Sequence, residues 1–242
     1  MLDTHCHIDL YKNPEEILKE CIKENLTVIS MTNLPSHFEK GYPYFKLLKK
    51  IRLALGMHPL YAQYHKKEFG LFLKNLSKTS YIGEIGLDFS KEGYATKDVQ
   101  IETFTRILES ITGKKKVLSL HSRRAEKNVL ELLLQYEIKT AIFHWYSGPL
   151  SLIDKIVGGG YYFSINSAMV ESENGKKIIE RIPYERILIE TDGPFIEYKG
   201  SQIKPIDSTA ILSSISKFWN KKTEETQIII NSNFKTLINT IK

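Results

Sequence analysis

Seven side chains able to hold metal ions, His5, His7, His58, Glu84, His121, His144 and Asp192, each stand where an apolar, strand-like run gives out. His5-Cys6-His7 places two imidazoles on one face of a strand, because side chains alternate with period two. Asp3 shares that face and is expected to orient one of the two rings as an acceptor. Gly56-Met57-His58-Pro59 closes another run, with Pro59 stopping the strand. An acid inside the apolar, glycine-flanked Tyr81-Ile82-Gly83-Glu84-Ile85-Gly86 is costly if buried and unpaired. Cations remove that cost, so Glu84 reads as a bridging carboxylate and Asp88 as an orienting or loop-stabilising one. Leu118-Ser119-Leu120-His121 and Ala141-Ile142-Phe143-His144 both end in histidine, and Ile187-Leu188-Ile189-Glu190-Thr191-Asp192 ends in acid with Asp192 nearer the rim. Singly, each histidine also fits a core or loop position. Together the set suits two divalent ions roughly 3.5–4 Å apart that share a carboxylate and a water. Imidazole favours Zn, Mn or Fe over Mg on softness, but the sequence does not decide the metal, and the expected cofactor is two divalent ions, Mg, Mn or Zn.

These residues meet only if the chain brings strand ends together. Strands are predicted at Leu2–His7, Leu26–Thr32, Ile51–Gly56, Tyr81–Ile85, Val117–His121, Thr140–His144, Tyr161–Ile165 and Arg186–Thr191. Helical periodicity marks Pro14–Glu24, Val99–Ile111, Arg124–Tyr136 and Gly175–Arg181, and Ser208–Lys242 is expected to complete an outer helical layer. The triple glycine Gly158–Gly160 reads as a helix stop, since the Gly-Lys-Ser/Thr ending of a phosphate loop is absent. Eight alternations favour a (β/α)8 TIM-type barrel over a doubly wound sheet, because a closed barrel gathers many strand ends on one rim. A chain of 242 residues, 42% hydrophobic, suits a single domain over 1–242.

The formal charge of +6 favours acidic partners but is mild for a dedicated nucleic-acid binder. Lysines come in bursts, Lys49–Lys50, Lys66–Lys67, Lys114–Lys116, Lys176–Lys177 and Lys221–Lys222, each read as a solvated face. Cys6 and Cys21 are too few for a disulfide framework, and Cys6 is expected to be buried against helices. The start Met1-Leu2-Asp3-Thr4-His5 carries no apolar targeting segment, and no run approaches the ~20 residues of a membrane span, so no membrane association and a cytoplasmic location are expected.

Asp3-Thr4-His5-Cys6-His7-Ile8-Asp9, Gly56-Met57-His58-Pro59, Gly83-Glu84-Ile85-Gly86-Leu87-Asp88, His121-Ser122-Arg123, Phe143-His144 with Ser147-Gly148, and Glu190-Thr191-Asp192-Gly193-Pro194 resemble the TatD-type metal-dependent deoxyribonucleases, which are amidohydrolase-like barrels. The motifs run in order across almost the whole chain. The resemblance implies two-metal hydrolysis of DNA phosphodiesters, often from the 3′ end. It assigns His5, His7, Glu84 and Asp192 to one metal and Glu84, His121 and His144 to the other. It also makes Asp192 the proton acceptor from water and gives His58 and Arg123 to the substrate phosphate. His144-Trp145-Tyr146-Ser147-Gly148 and the reduced segment Gly200-Ser201-Gln202-Ile203-Lys204-Pro205 depart from the common pattern and resemble the TatD-like nucleases of Qat anti-phage defence systems. That implies single-stranded DNA ends as substrate and other Qat-type proteins as partners. Trp145 and Tyr146 are candidates to stack on a terminal base, or to pack beneath and around the rim. Lys91, Arg124 and Lys199 are candidate backbone contacts in rim loops. Hydrolysis of another ester or amide, such as an aminoacylated RNA end, and a mainly partner-binding role are the alternatives.

Overall fold

The computed structural model describes residues 1–198 and 200–241, so Lys199 lies outside the described residues. Eight parallel strands alternate with helices: β1 (Leu2–Cys6), α1 (Pro14–Lys23), β2 (Thr27–Ser30), α2 (Pro35–Phe45), β3 (Ile51–Leu53), α3 (Ala62–Asn75), β4 (Tyr81–Gly86), α4 (Lys97–Ile111), β5 (Val117–His121), α5 (Glu126–Gln135), β6 (Ala141–His144), α6 (Leu150–Gly158), β7 (Tyr162–Ile165), α7 (Ser167–Glu171), α8 (Glu173–Arg181) and β8 (Ile187–Ile189). A two-stranded ribbon, β9 (Glu197–Tyr198) and β10 (Ser201–Gln202), precedes α9 (Ser208–Phe218) and α10 (Thr223–Asn239).

Strands β1–β3 form one ladder and β4–β8 another, joined by a parallel bridge between Leu55 and Ile82. At the other seam the Thr4 hydroxyl donates to the Ile189 carbonyl (2.9 Å), and the Asp192 N–H donates to the His5 carbonyl (2.9 Å). The result is a closed (β/α)8 barrel of TIM type. The strands are nearly continuous buried runs because helices cover one face and the barrel interior the other.

Several strands stop earlier than the apolar runs predict, since side chains take over from the backbone ladder. The Thr32 hydroxyl donates to the Ala54 carbonyl (2.9 Å) and accepts from the Gly56 N–H (3.1 Å), so β2 and β3 end before Thr32 and Gly56. A Cβ at Gly56 would sit 1.5 Å from the Thr32 carbonyl oxygen, so only glycine permits this approach.

Helix α1 begins with Pro14 after Asn13, carries Glu15 and Glu16 in its first turn and Lys23 in its last, and buries Ile17 and Cys21. Helix α2 contains Gly41 and Pro43 and so lacks a clear sequence signal, yet burial of Phe38 and Phe45 holds it in place. The expected Ser208–Lys242 helical stretch is two helices, broken where Asn220 takes a left-handed backbone (φ 51°). The triple glycine does end a helix, with α6 stopping at Gly158 and Gly160 at φ 85°.

Candidate metal centre

The barrel places His5, His7, His58, Glu84, His121, His144 and Asp192 together at the C-terminal ends of the strands, the face on which TIM-barrel active sites are built. Glu84, buried near the end of β4, is the centre of the group. Its Oε2 lies 3.3 Å from His7 Nε2 and 3.5 Å from His5 Nε2. Its Oε1 lies 2.7 Å from His121 Nδ1, 3.2 Å from His144 Nε2 and 3.3 Å from His58 Nε2. Asp192 Oδ1 approaches His5 and His7 at 3.6 and 3.9 Å. His5 and His144 stack with ring centroids 3.8 Å apart.

The outward nitrogens define what the inward ones can do. His121 Nε2 is 2.7 Å from Asp88 Oδ2, and His144 Nδ1 is 3.2 Å from Glu190 Oε1. Each carboxylate accepts a hydrogen bond from the outward ring N–H, the arrangement found behind metal-bound histidines, and a cation at the inward nitrogen would displace the proton that this nitrogen shares with Glu84. His5 Nδ1 contacts the Ser119 hydroxyl at 2.8 Å. His58 is different, because its Nδ1 accepts the Leu60 N–H (3.1 Å) and the neutral ring therefore carries its proton on Nε2, facing Glu84. His58 thus presents a donor to the cleft, although it lies close enough to Glu84 and His121 to be grouped with them as a ligand set. Buried His65 fixes its backbone through a 3.0 Å contact with the His58 carbonyl.

Two positions beside the centre take left-handed backbone, Trp145 at φ 38° and Asp192 at φ 51°. Asp tolerates this region, whereas a bulky Trp there stores ~1–3 kcal/mol of strain. The Trp145 N–H donates to Glu190 Oε1 (3.1 Å), which holds the turn that sends His144 inward and Trp145 to the rim. Glu190 also accepts from the Asn166 amide (3.1 Å) and the Ser164 hydroxyl, so four donors converge on one buried carboxylate.

Burial opposes ionisation of Glu84, but His58, His144 and the hydrogen bond from His121 hold its carboxyl well below the usual range. Burial pushes Asp192 up to about 7, against the pull of His144 and His7. Burial and the neighbouring His144 push His5 well down, while Glu190 and Glu84 overcome burial and hold His144 well up.

The donor set fits cations. His5 Nε2 and His7 Nε2 face each other at 3.3 Å, and His7 Nδ1 is buried without a hydrogen-bond partner. Two groups, His5 with His7 and Glu84 and His5 with His144 and Asp192, have ligand atoms mutually within 4.8 Å. All donors are nitrogen or carboxylate oxygen, as Zn or Mn prefer and Mg accepts in part.

Some expectations need correction. Asp3 orients neither histidine ring. Its Oδ1 accepts from the His5 and Thr191 N–H groups (3.1 and 3.0 Å) and its Oδ2 from the Thr191 hydroxyl (2.6 Å), clamping β1 to the chain after β8. Tyr146 offers no face to a base, because it is buried against Phe143 and Phe163 and its hydroxyl donates to the Pro149 carbonyl (2.8 Å). Trp145, 36% exposed, does reach the cleft of about 660 Å³ over the centre. Phe195, 57% exposed, was not among the sequence candidates, yet it stands edge-on to His7 at 5.1 Å and lines the same cleft. Only its place in the Asp-Gly-Pro-Phe exit from the last strand hinted at this. Arg123 lines the cleft with an exposed guanidinium 3.3 Å from Glu92, while exposed Arg124 faces an adjoining groove.

Residues 2–239 match the family model described as TatD related DNase. An uncharacterized metal-dependent hydrolase of Methanocaldococcus jannaschii is 28% identical over 242 residues, spanning 96% of this chain and 94% of that protein. The human deoxyribonuclease TATDN3 is 25% identical over 213 residues, spanning 80% of this chain and 78% of that protein. Among solved structures, the Escherichia coli TatD homolog YJJV superposes with a TM-score of 0.88 at 22% identity, over 99% of this chain and 98% of that one. The chain belongs to the TatD-related DNase family of metal-dependent hydrolases.

Proposed function

We propose that the chain is an exonuclease that hydrolyses DNA phosphodiesters from single-stranded ends, and that His5, His7, Glu84 and Asp192 would hold one divalent cation and Glu84, His121 and His144 a second. The observation that carries this reading is the split of one carboxylate, with Oε2 toward His5 and His7 and Oε1 toward His121 and His144. Asp192 completes the first group. When bound, such cations stabilise charge on the phosphate and supply a water of lowered pKa.

The chain's own groups do the rest. Asp192, beside His5 and His7, accepts the proton of the attacking water. The His58 Nε2–H donates to a nonbridging phosphate oxygen, where a preorganised donor is worth most as charge develops. Arg123 exchanges Glu92 for the phosphate. Trp145 and Phe195 offer ring faces at the cleft mouth, and base–aromatic stacking contributes ~1–3 kcal/mol per base. The cleft of about 660 Å³ matches a nucleotide-sized ligand rather than a stacked duplex, which favours frayed or single-stranded ends. A 3′ to 5′ direction follows from the family resemblance. The His-Trp-Tyr-Ser-Gly and Glu-Thr-Asp-Gly-Pro-Phe segments support a role in Qat-type anti-phage defence beside partner proteins.

The test is a metal-titrated assay on end-labelled single- and double-stranded DNA and RNA. Stepwise, metal-dependent loss of nucleotides from single-stranded DNA is expected, with near-total loss of cleavage in a folded Asp192→Asn. Cleavage of small esters or amides alone, or unchanged cleavage by Asp192→Asn, overturns the reading.

A further inference from the structure

A second large cavity lies at the other end of the barrel. About 840 Å³ opens at the N-terminal mouth, beside Met1, Thr27, Lys50 and Ser80, which lead into or begin β1 to β4, and α10 forms one wall. The metal rim is at the opposite ends of those strands, so this cavity and the rim are separate.

The lining is chemically two-sided. Lys46, Lys49, Lys50, Arg52 and Lys78 contribute five cations, and among the described residues no aspartate or glutamate lines the cavity. Arg52 is exposed in the middle of β3, between two buried neighbours, because its side chain points into this opening. Among the described residues, ion pairs within 4.0 Å link other lysines and arginines to acids, and none includes these five. The Lys78 ammonium lies over the Tyr42 ring (5.6 Å), and its acidic neighbour Glu39 is already paired with Lys74 at 2.8 Å. Five like charges around one opening repel each other, and a multiply charged anion relieves that repulsion.

The opposite wall is apolar. Phe234, Ile238 and Ile241 come from the C-terminal end of the chain, and Tyr81 from the start of β4. Phe234 and Tyr81 pack against the Ile29, Met31 and Ala54 cluster and so form the floor of the mouth. Cations at the lip and rings at the floor match a ligand with phosphates at one end and a flat, weakly polar ring at the other. The volume is in the range of sites that enclose such small molecules.

We propose that the N-terminal mouth of the barrel is a second binding site, one that takes a nucleotide carrying clustered phosphates. The shared chemistry is a base with adjacent phosphates, supplied by a free nucleotide or by the phosphorylated end of a strand. The site is independent of the rim reading, since none of its residues belongs to the metal centre.

The experiment measures binding by calorimetry to the full chain in excess EDTA, which silences the metal rim. ATP, inorganic tripolyphosphate and a short 5′-phosphorylated oligonucleotide are the probes. Saturable binding of ATP or the oligonucleotide is expected, and the tighter of the two identifies the source. The pair Lys50→Glu/Arg52→Glu weakens it at least tenfold, while Lys66→Glu/Lys67→Glu, the same charge change on exposed α3 positions, leaves it within twofold. Circular dichroism and the melting temperature of the first pair stay at the wild-type level, which shows that it is folded. Absence of saturable binding, equal loss in both pairs, or tripolyphosphate binding as tightly as both ring-bearing probes overturns the proposal.

Discussion

Replacing Glu190 by Gln isolates the charge behind a proposed metal ligand from the hydrogen bonds that the same residue makes. The buried carboxylate accepts from His144 Nδ1 (3.2 Å), the Trp145 N–H (3.1 Å), the Asn166 amide (3.1 Å) and the Ser164 hydroxyl. Three of these donors meet Oε1, which a Gln carbonyl reproduces, and the Ser164 hydroxyl can turn to accept from the new amide. The fold is therefore retained at a cost of about one hydrogen bond, roughly 1 kcal/mol. The negative charge on His144 is lost, however, and loss of a carboxylate behind a metal-bound histidine typically costs about 10–100-fold in metal affinity or activity. Glu190→Ala is the wrong comparison, because it strands four donors at about 1–3 kcal/mol each and confounds folding with metal binding. The assay is competition for Zn or Mn against a chromophoric chelator, with melting followed in parallel. Metal affinity of Glu190→Gln within twofold of wild type, in a protein of near-native stability, refutes the idea that Glu190 tunes the centre through His144.

The two adjacent aromatics should separate cleanly. Trp145→Ala is expected to raise KM for single-stranded DNA by about 5–150-fold, the equivalent of ~1–3 kcal/mol of stacking, whereas Tyr146→Phe leaves cleavage unchanged and lowers stability by ~1 kcal/mol through its lost hydrogen bond to Pro149. His58→Phe is expected to lower kcat by about 10²–10³-fold, as loss of one preorganised donor does, with metal affinity within twofold; a matching loss of metal affinity would make His58 a ligand instead. Burial pushes the Cys21 thiol up to about 12 and Cys6 well above its ordinary value, so neither reacts with a thiol reagent at pH 8 until the chain unfolds. In the unfolded chain these thiols ionise near their ordinary value of 9.0, so their contribution to stability is complete below that pH and falls as pH rises toward 12, which melting curves at increasing pH will register.

Much of the centre was legible because barrel geometry imposes a simple rule. Parallel strands run the same way, so whatever ends them lands on one rim, and His5, His121, His144 and Asp192 all announced themselves at the ends of apolar runs. Glu84 was legible from its cost alone. Tyr146 was not, because the period that places Trp145 and Tyr146 side by side does not say which one turns inward. That depended on a left-handed backbone at Trp145 held by Glu190, 45 residues away. Asp3 was misjudged for a similar reason. Its partner Thr191 is 188 residues distant and becomes a neighbour only when the barrel closes.

The alternation of strands and helices, the burial of the ligand-bearing runs and the residue types available for metal chemistry can be read along the chain, because they follow from local periodicity and the cost of burying charge. Tertiary structure alone decided which oxygen of Glu84 serves which histidines, which imidazole carries its proton inward, and that five scattered cations ring the far mouth of the barrel. Those features depend on the angle and distance between groups far apart in the chain, and closing the barrel is what sets them.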